Sequence, residues 1–428
     1  MVVVTLVFVF ILLMMIGVPV VFSMGATSLL AGVFFWGVDA IPLATFAQRM
    51  LSGMNSFTML SVPLFLLAGR LMNEGEITNK LFNFAQKTVG HLPGGLGHVN
   101  ILCSVIFAGM SGTSVADAAG LGTIEIKAMT DNGFDKEFSI GITGGSALIG
   151  PIIPPSVPMV LYGAIAECSI SSLFIGGVAP GVLMALGMAA MVTYYAIKRN
   201  YPRERKATGK ELWEALKESF LPLMTPVIIV GGIWSGVFTA TEASGMAVLY
   251  ATILILFVYK NMTLKQLWGH LKATAVDCAC IMFVMAGCSL YGYVLTRSRI
   301  PQIVAEALTN LTRNPTLIVL IIGVFLMFIG CFMSTTESIL LFAPIFVPVI
   351  RDVHYNVVAF GVVMCLALCI GQLTPPFGSS LFVLSKTTGV RLDRVAKACF
   401  PFLIPVVLIT FLCAIVPGVV TLLPNLAF

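Results

Sequence analysis

Gly150-Pro151-Ile152-Ile153-Pro154-Pro155-Ser156 interrupts an apolar stretch otherwise long enough to cross a bilayer. A second interruption, Gly371-Gln372-Leu373-Thr374-Pro375-Pro376-Phe377-Gly378-Ser379-Ser380, follows 221 residues later. Glycine permits a turn, and each proline removes an amide donor and frees a carbonyl one turn earlier. Lipid cannot satisfy such backbone, which survives at membrane depth only where protein, water or a bound ion completes the bonding. The same spacing of 221 aligns Gly109 with Gly330 and Pro180 with Pro401. Four landmarks at one offset read as an internal duplication.

Composition supports a membrane setting. Charged residues make up 10% of the 428 and hydrophobic residues 58%, with a mean hydropathy of +1.01. A soluble domain carries about 25% charged residues, so this chain lacks the polar surface to cover a water-soluble globule. The net charge of +5 is modest and the basic residues lie in short loops between apolar runs, which excludes a nucleic-acid binder. Eight of the ten cysteines (Cys103, Cys278, Cys280, Cys288, Cys331, Cys365, Cys369 and Cys413) lie within apolar segments and read as small buried hydrophobes. The four histidines stand singly, away from any metal-binding spacing. No phosphate-binding glycine loop occurs, so the chain does not itself consume ATP.

A crossing takes about 20 apolar residues. The expected order is two crossings in 3–36, split at Gly17-Val18-Pro19, one at 43–72, and an amphipathic segment at 76–90. A re-entrant hairpin at 97–128 then turns at Gly109–Ser114, followed by a broken span at 137–166 and a span at 170–197. After the polar stretch 198–218, the order repeats over 219–428. Two crossings in 219–260 are broken at Gly236–Thr241, with further pieces at 274–296 and 300–312. A hairpin at 315–350, a broken span at 356–387 and a span at 399–424 complete it. The chain is thus expected to be an all-α polytopic membrane protein of two repeats, 1–197 and 219–428, joined by a cytoplasmic linker. Five crossings and one hairpin per repeat is an odd number, so the repeats insert with inverted topology. With 198–218 in the cytoplasm, only Arg49, Arg297, Arg299, Arg313 and Arg351 of the 24 Lys and Arg fall outside, leaving 19 inside.

Inverted repeats with interrupted helices at matching positions are the layout of secondary transporters. Around the breaks lie Ser and Thr hydroxyls and freed carbonyls with little carboxylate, which suits a monovalent hard cation such as sodium. Ca²⁺ demands several carboxylates and a transition metal demands His or Cys. Acids in or beside apolar segments are costly and mark function by default. Asp117 and Glu337 lie just beyond the hairpin tips, whereas Glu242 fits a helix cap and Asp277 an interfacial position. Substrate candidates are Asp117, Ser114, Ser156, Ser334, Thr335 and Glu337.

Ala108-Gly109-Met110-Ser111-Gly112-Thr113-Ser114-Val115-Ala116-Asp117, Gly150–Ser156, Gly236–Ala243 and Leu373-Thr374-Pro375-Pro376-Phe377-Gly378 resemble the large membrane subunit of TRAP (tripartite ATP-independent periplasmic) transporters. The resemblance runs over nearly the whole chain. Gly97-His98-Val99-Asn100-Ile101 and Tyr201-Pro202-Arg203 are most similar to the sialic-acid branch, and Ala240 departs from a proline usual in the family. The resemblance implies a sodium-driven, elevator-type importer of organic acids, sialic acid or a C4-dicarboxylate-like carboxylate, in the bacterial inner membrane. It further implies a small four-helix membrane subunit and a periplasmic substrate-binding protein as partners. Carried over by residue, one sodium site falls at Ser111, Thr113, Gly150 and Pro154 and a second at Gly330, Gly371, Thr374 and Gly378, with Asp117 near the substrate. The rival readings are a stand-alone sodium–carboxylate symporter and an integral membrane enzyme, the latter lacking a visible catalytic constellation.

Overall fold

The computed structural model describes residues 2–37, 41–73 and 75–427, and every regular element among them is helical. The first half comprises α1 (Val2–Met15), α2 (Val20–Trp36), α3 (Leu43–Met54), α4 (Ser61–Met72), α5 (Gly75–Val89), α6 (Gly95–Ser111), α7 (Ser114–Ala119), α8 (Leu121–Asp131), α9 (Lys136–Ala147), α10 (Val157–Ala166) and α11 (Ile170–Arg199). The second comprises α12 (Gly209–Trp234), α13 (Ala240–Ile253), α14 (Leu264–Arg297), α15 (Ile300–Leu311), α16 (Pro315–Gly330), α17 (Thr335–Asp352), α18 (Val357–Gln372), α19 (Ser379–Thr388), α20 (Leu392–Ile415) and α21 (Gly418–Ala427).

Helix starts recur at the spacing of the sequence landmarks: Leu43 and Leu264, Ser114 and Thr335, Lys136 and Val357. Packing nevertheless crosses the halves. α2, α3 and α4 pack on α13 and α14, and α5 packs on α12. α9–α11 pack among α17, α18, α20 and α21, and α6 packs on α9 and α11. Two interleaved helix sets result, meeting chiefly where α4, α5 and α12 touch α6 and where α14 and α15 touch α17.

Helix boundaries follow local chemistry. α5 presents Ile77, Leu81 and Ala85, spaced by four, as a fully buried stripe. Flanking the stripe, Lys80 stands 2.8 Å from Glu76 and over the Tyr259 ring. Within the polar stretch 198–218, α11 ends at Arg199 and α12 begins at Gly209. The Thr208 hydroxyl accepts from the Glu211 amide (3.3 Å) while the Glu211 carboxylate accepts from the Thr208 amide (2.8 Å). This capping box nucleates helix well before the apolar run begins. Thr239 and Glu242 cap α13 in the same way, so Glu242 is a helix cap. Ala240 is the first residue of α13, a position that tolerates proline because its amide has no helical partner. The segment 43–72 is one bent pair, turning 53° at a break of Asn55 and Ser56 and a 3-10 turn Phe57–Leu60. The expected last span 399–424 is α20 and α21, separated at Val416-Pro417. Cys280 is exposed on α14 and Cys278 half-buried, a correction to their reading as core residues.

Candidate functional site

The first hairpin turns where α6 ends. Gly112 has φ +65°, and a Cβ there would sit 2.5 Å from the Pro155 carbonyl oxygen, so only glycine fits. Thr113 is extended and begins α7 without capping it through its side chain. Gly150 lies against Thr113, with room for a Cβ only at 3.3 Å from the Thr113 carbonyl. Ser111, Thr113, Gly150 and the Pro154-Pro155 turn are thereby one cluster. The Ser111 hydroxyl is buried with no hydrogen-bond partner. A buried polar group left unpaired costs stability, so such a group is notable at a candidate cation site.

The second cluster is tighter. A Cβ on Gly371 would lie 2.0 Å from the Gly330 carbonyl carbon, so these two glycines bring α16 and α18 into backbone contact. The Phe377 amide donates to the Cys331 carbonyl (3.0 Å), and Thr374 donates its hydroxyl to the Ile370 carbonyl (2.9 Å). Gly378 packs on the carbonyls of Gln372 and Thr374. Gly330, Gly371, Thr374 and Gly378 are thus neighbours. Among the described residues no three His, Cys, Asp or Glu side chains converge, so the oxygens at both breaks come from hydroxyls and carbonyls. Both proline pairs, Pro154-Pro155 and Pro375-Pro376, are joined by cis peptides.

Gln372 joins the halves. Its side-chain oxygen accepts from the Ser114 hydroxyl and from Ser380 (3.3 Å), and its amide donates to Thr335. Ser114 and Thr335 are the first residues of α7 and α17, at equivalent repeat positions. Gln372 stands inside the glycine–proline motif, where attention to hydroxyls and carbonyls passed over it. Beside the first tip, Asn100 donates to Thr143 (2.7 Å), Ser146 to the Asn100 side-chain oxygen (2.7 Å) and Ser104 to Ser146 (3.0 Å), all buried.

The acids divide. Both Asp117 carboxylate oxygens and Glu125 Oε1 are buried and make no well-formed hydrogen bond, the Ser104 side chain lying beside Asp117. Glu125 was not legible as a candidate because it neighbours Lys127, as at a helix end leaving the membrane. Glu337 instead accepts from the Ser334 amide (3.3 Å), and Ser334 accepts from the Glu337 amide (3.3 Å), a capping box for α17. Ser156 is likewise engaged, accepting from Met159 (3.2 Å) and donating to Pro151 (2.5 Å). Asp277 pairs with Arg70 of α4. A separate cavity of about 840 Å³ lies between α3, α14 and the turn after α14 on one side and α10 and α17 on the other, and none of the candidate site residues lines it.

Apolar helices broken at oxygen-rich turns, packed as two interleaved sets, define a multi-pass membrane protein. The chain matches the family model "Tripartite ATP-independent periplasmic transporter, DctM component" over residues 7–419. It is 40% identical over 410 residues to the sialic acid TRAP transporter large permease protein SiaM of Vibrio cholerae, covering 96% of this chain and 95% of that one. To the C4-dicarboxylate TRAP transporter large permease protein DctM of Rhodobacter capsulatus it is 32% identical, covering 97% of each. The fold is also similar to that of the YdaH transporter of Alcanivorax borkumensis, with a TM-score of 0.64 at 12% identity over 88% of each chain. The chain belongs to the DctM-component family, the large membrane subunits of TRAP transporters.

Proposed function

We propose that the chain imports an organic acid, sialic acid or a C4-dicarboxylate-like carboxylate, driven by sodium that binds at the two breaks. The substrate is delivered by a periplasmic binding protein, and a small four-helix membrane subunit completes the assembly in a bacterial inner membrane. The two repeats are inverted, with 198–218 cytoplasmic and both termini outside. The helices carrying hairpins and breaks move as an elevator against the set formed by α1–α5 and α12–α15. Ser111, Thr113, Gly150 and Pro154 make one sodium site, Gly330, Gly371, Thr374 and Gly378 the other, and Asp117, Ser114, Ser156, Ser334, Thr335 and Glu337 face substrate.

The observation that carries this reading is the pairing of two glycine–proline turns, each beside a hairpin tip, with hydroxyl and carbonyl oxygens and a partnerless buried Ser111 hydroxyl. The names of the relatives supply the substrate class. The energetics suffice. One sodium moving down about 100 mV releases roughly 2.3 kcal/mol, and a tenfold gradient adds about 1.4. Two ions yield roughly 7 kcal/mol and a monoanion takes back about 2.3, which leaves enough for more than thousandfold accumulation. Uptake of sialic acid into proteoliposomes tests it. All three components with an inward sodium gradient accumulate the acid, and removing either the gradient or the binding protein returns uptake to background. Equal uptake by this chain alone overturns the dependence on partners and leaves a stand-alone symporter.

A further inference from the structure

We propose that the 840 Å³ cavity is a capture site for organic anions, occupied before the anion reaches the polar breaks. The inference rests on the orientation proposed above. That orientation leaves five arginines and no lysine outside, and three of the five, Arg49, Arg297 and Arg299, line this one cavity. A fourth, Arg351, donates to the Ala166 carbonyl (2.6 Å) at the end of α10, whose Ala164 and Ile165 form part of the wall. Positive charge on the translocated side runs against the positive-inside bias. Its concentration at one cavity therefore points to a local use.

The three arginines line one cavity because α3 packs on α14. Arg49 of α3 stands 5.0 Å over the Tyr293 ring of α14, and Arg297 follows one turn later on the same helix. The Ser289 hydroxyl, one turn before Tyr293, donates to the Arg49 carbonyl (2.8 Å). Arg299, with φ +54°, stands in the turn between α14 and α15. Guanidinium presents a planar fork of donors that matches a carboxylate. Among the described residues Glu167 is the one acid in the lining, against three arginines. The cavity has a volume within the roughly 300–1,000 Å³ of small-molecule sites. It spans both interleaved helix sets, so movement of one set against the other alters it. No residue of the candidate sodium or substrate clusters reaches it.

The test uses the full chain with its small membrane subunit in nanodiscs, titrated calorimetrically with sialic acid and with its uncharged methyl ester. Arg49→Gln with Arg297→Gln is expected to weaken acid binding about tenfold, with reduced dependence on salt, and to leave the ester unchanged. Arg49→Lys with Arg297→Lys is expected to restore the charge-dependent part. In vesicles the glutamine pair raises KM with the maximal rate unchanged. Acid binding equal to wild type, or equal losses for acid and ester, overturns the proposal. So does a result in which only the affinity of the binding protein for the membrane falls, because the arginines then serve protein docking. An Arg297→Cys variant, on a chain with Cys280 replaced, reports orientation separately. Failure to label it from outside refutes the topology even where the calorimetric difference stands.

Discussion

The two hairpin tips occupy equivalent positions in the repeat yet solve the same problem differently. At the second, α17 begins with a reciprocal Ser334–Glu337 capping box and runs unbroken for 18 residues. At the first, Thr113 leaves its side chain out of any cap, α7 lasts six residues, and the chain bends again at Gly120 before α8. The acids follow suit: Glu337 is tied to backbone, whereas Asp117 and Glu125 are buried with carboxylate oxygens unmatched. The position equivalent to Asp117 is Ser338, whose buried hydroxyl is also unpartnered. The second tip ties its acid to backbone and leaves one hydroxyl, Ser338, unpaired, whereas the first leaves the carboxylates of Asp117 and Glu125 unpaired. A duplicated fold can thus cap the acid in one half and leave the acids of the other uncapped.

The largest expected effect comes from the glycines. Gly371→Ala places a Cβ 2.0 Å from the Gly330 backbone and is expected to abolish recovery of folded protein. Gly150→Ala, its counterpart, meets Thr113 and Ala147 at 3.2–3.3 Å and is expected to keep the fold with a shift of a few tenths of an ångström. Monodispersity by size exclusion checks both, and equal tolerance breaks the claim that the second break is the tighter. Next, Thr113→Ala and Thr374→Ala each remove one hydroxyl from a candidate cation cluster. Each is expected to raise the half-saturating sodium concentration roughly 5–150-fold, about 1–3 kcal/mol, at unchanged protein level. Wild-type sodium dependence in both makes these breaks structural kinks.

Ser334→Ala removes a cap and is expected to cost about 1 kcal/mol, read as a lowered Tm. Thr113→Ala, with no cap to lose, leaves Tm unchanged. Transport lost beyond what the lowered Tm explains is expected if Ser334 serves the substrate as well as the cap, and wild-type transport removes it from the substrate set. The smallest effect lies outside both tips. The Tyr201 hydroxyl (2.5 Å) and Arg199 (2.8 Å) donate to Asp135 at the start of α9, and the Tyr201 bond chiefly holds its carboxyl below the usual value. A depressed folded pKa contributes stability present above the unfolded value of about 3.9 and lost as pH falls through the folded value. Asp135→Asn is therefore expected to lower Tm slightly at pH 7, the groups being exposed, with the difference shrinking as pH falls below about 4.

Periodicity and punctuation are local properties, and the sequence by itself determined what depends on them. Apolar run length set an all-helical membrane chain. Gly150 through Ser156 and Gly371 through Ser380 marked the breaks, and the offset of 221 anticipated helix starts such as Ser114 and Thr335. Even the capping boxes at Thr208, Thr239 and Ser334 are written in Ser/Thr-x-x-Glu patterns. Only tertiary structure decided which polar groups remain free. Glu337 and Asp117 look alike in sequence as acids just beyond the hairpin tips, but one finds an amide three residues away and the other is enclosed where α7 meets α19. Gln372 became the bridge between Ser114 and Thr335 because packing brings residues 258 and 37 positions apart into hydrogen-bond contact. The cluster of Arg49, Arg297 and Arg299 likewise required α3 to lie on α14. Hydrogen bonds and charges act over a few ångströms of space, and separation along the chain carries no information about that distance once the helices have packed.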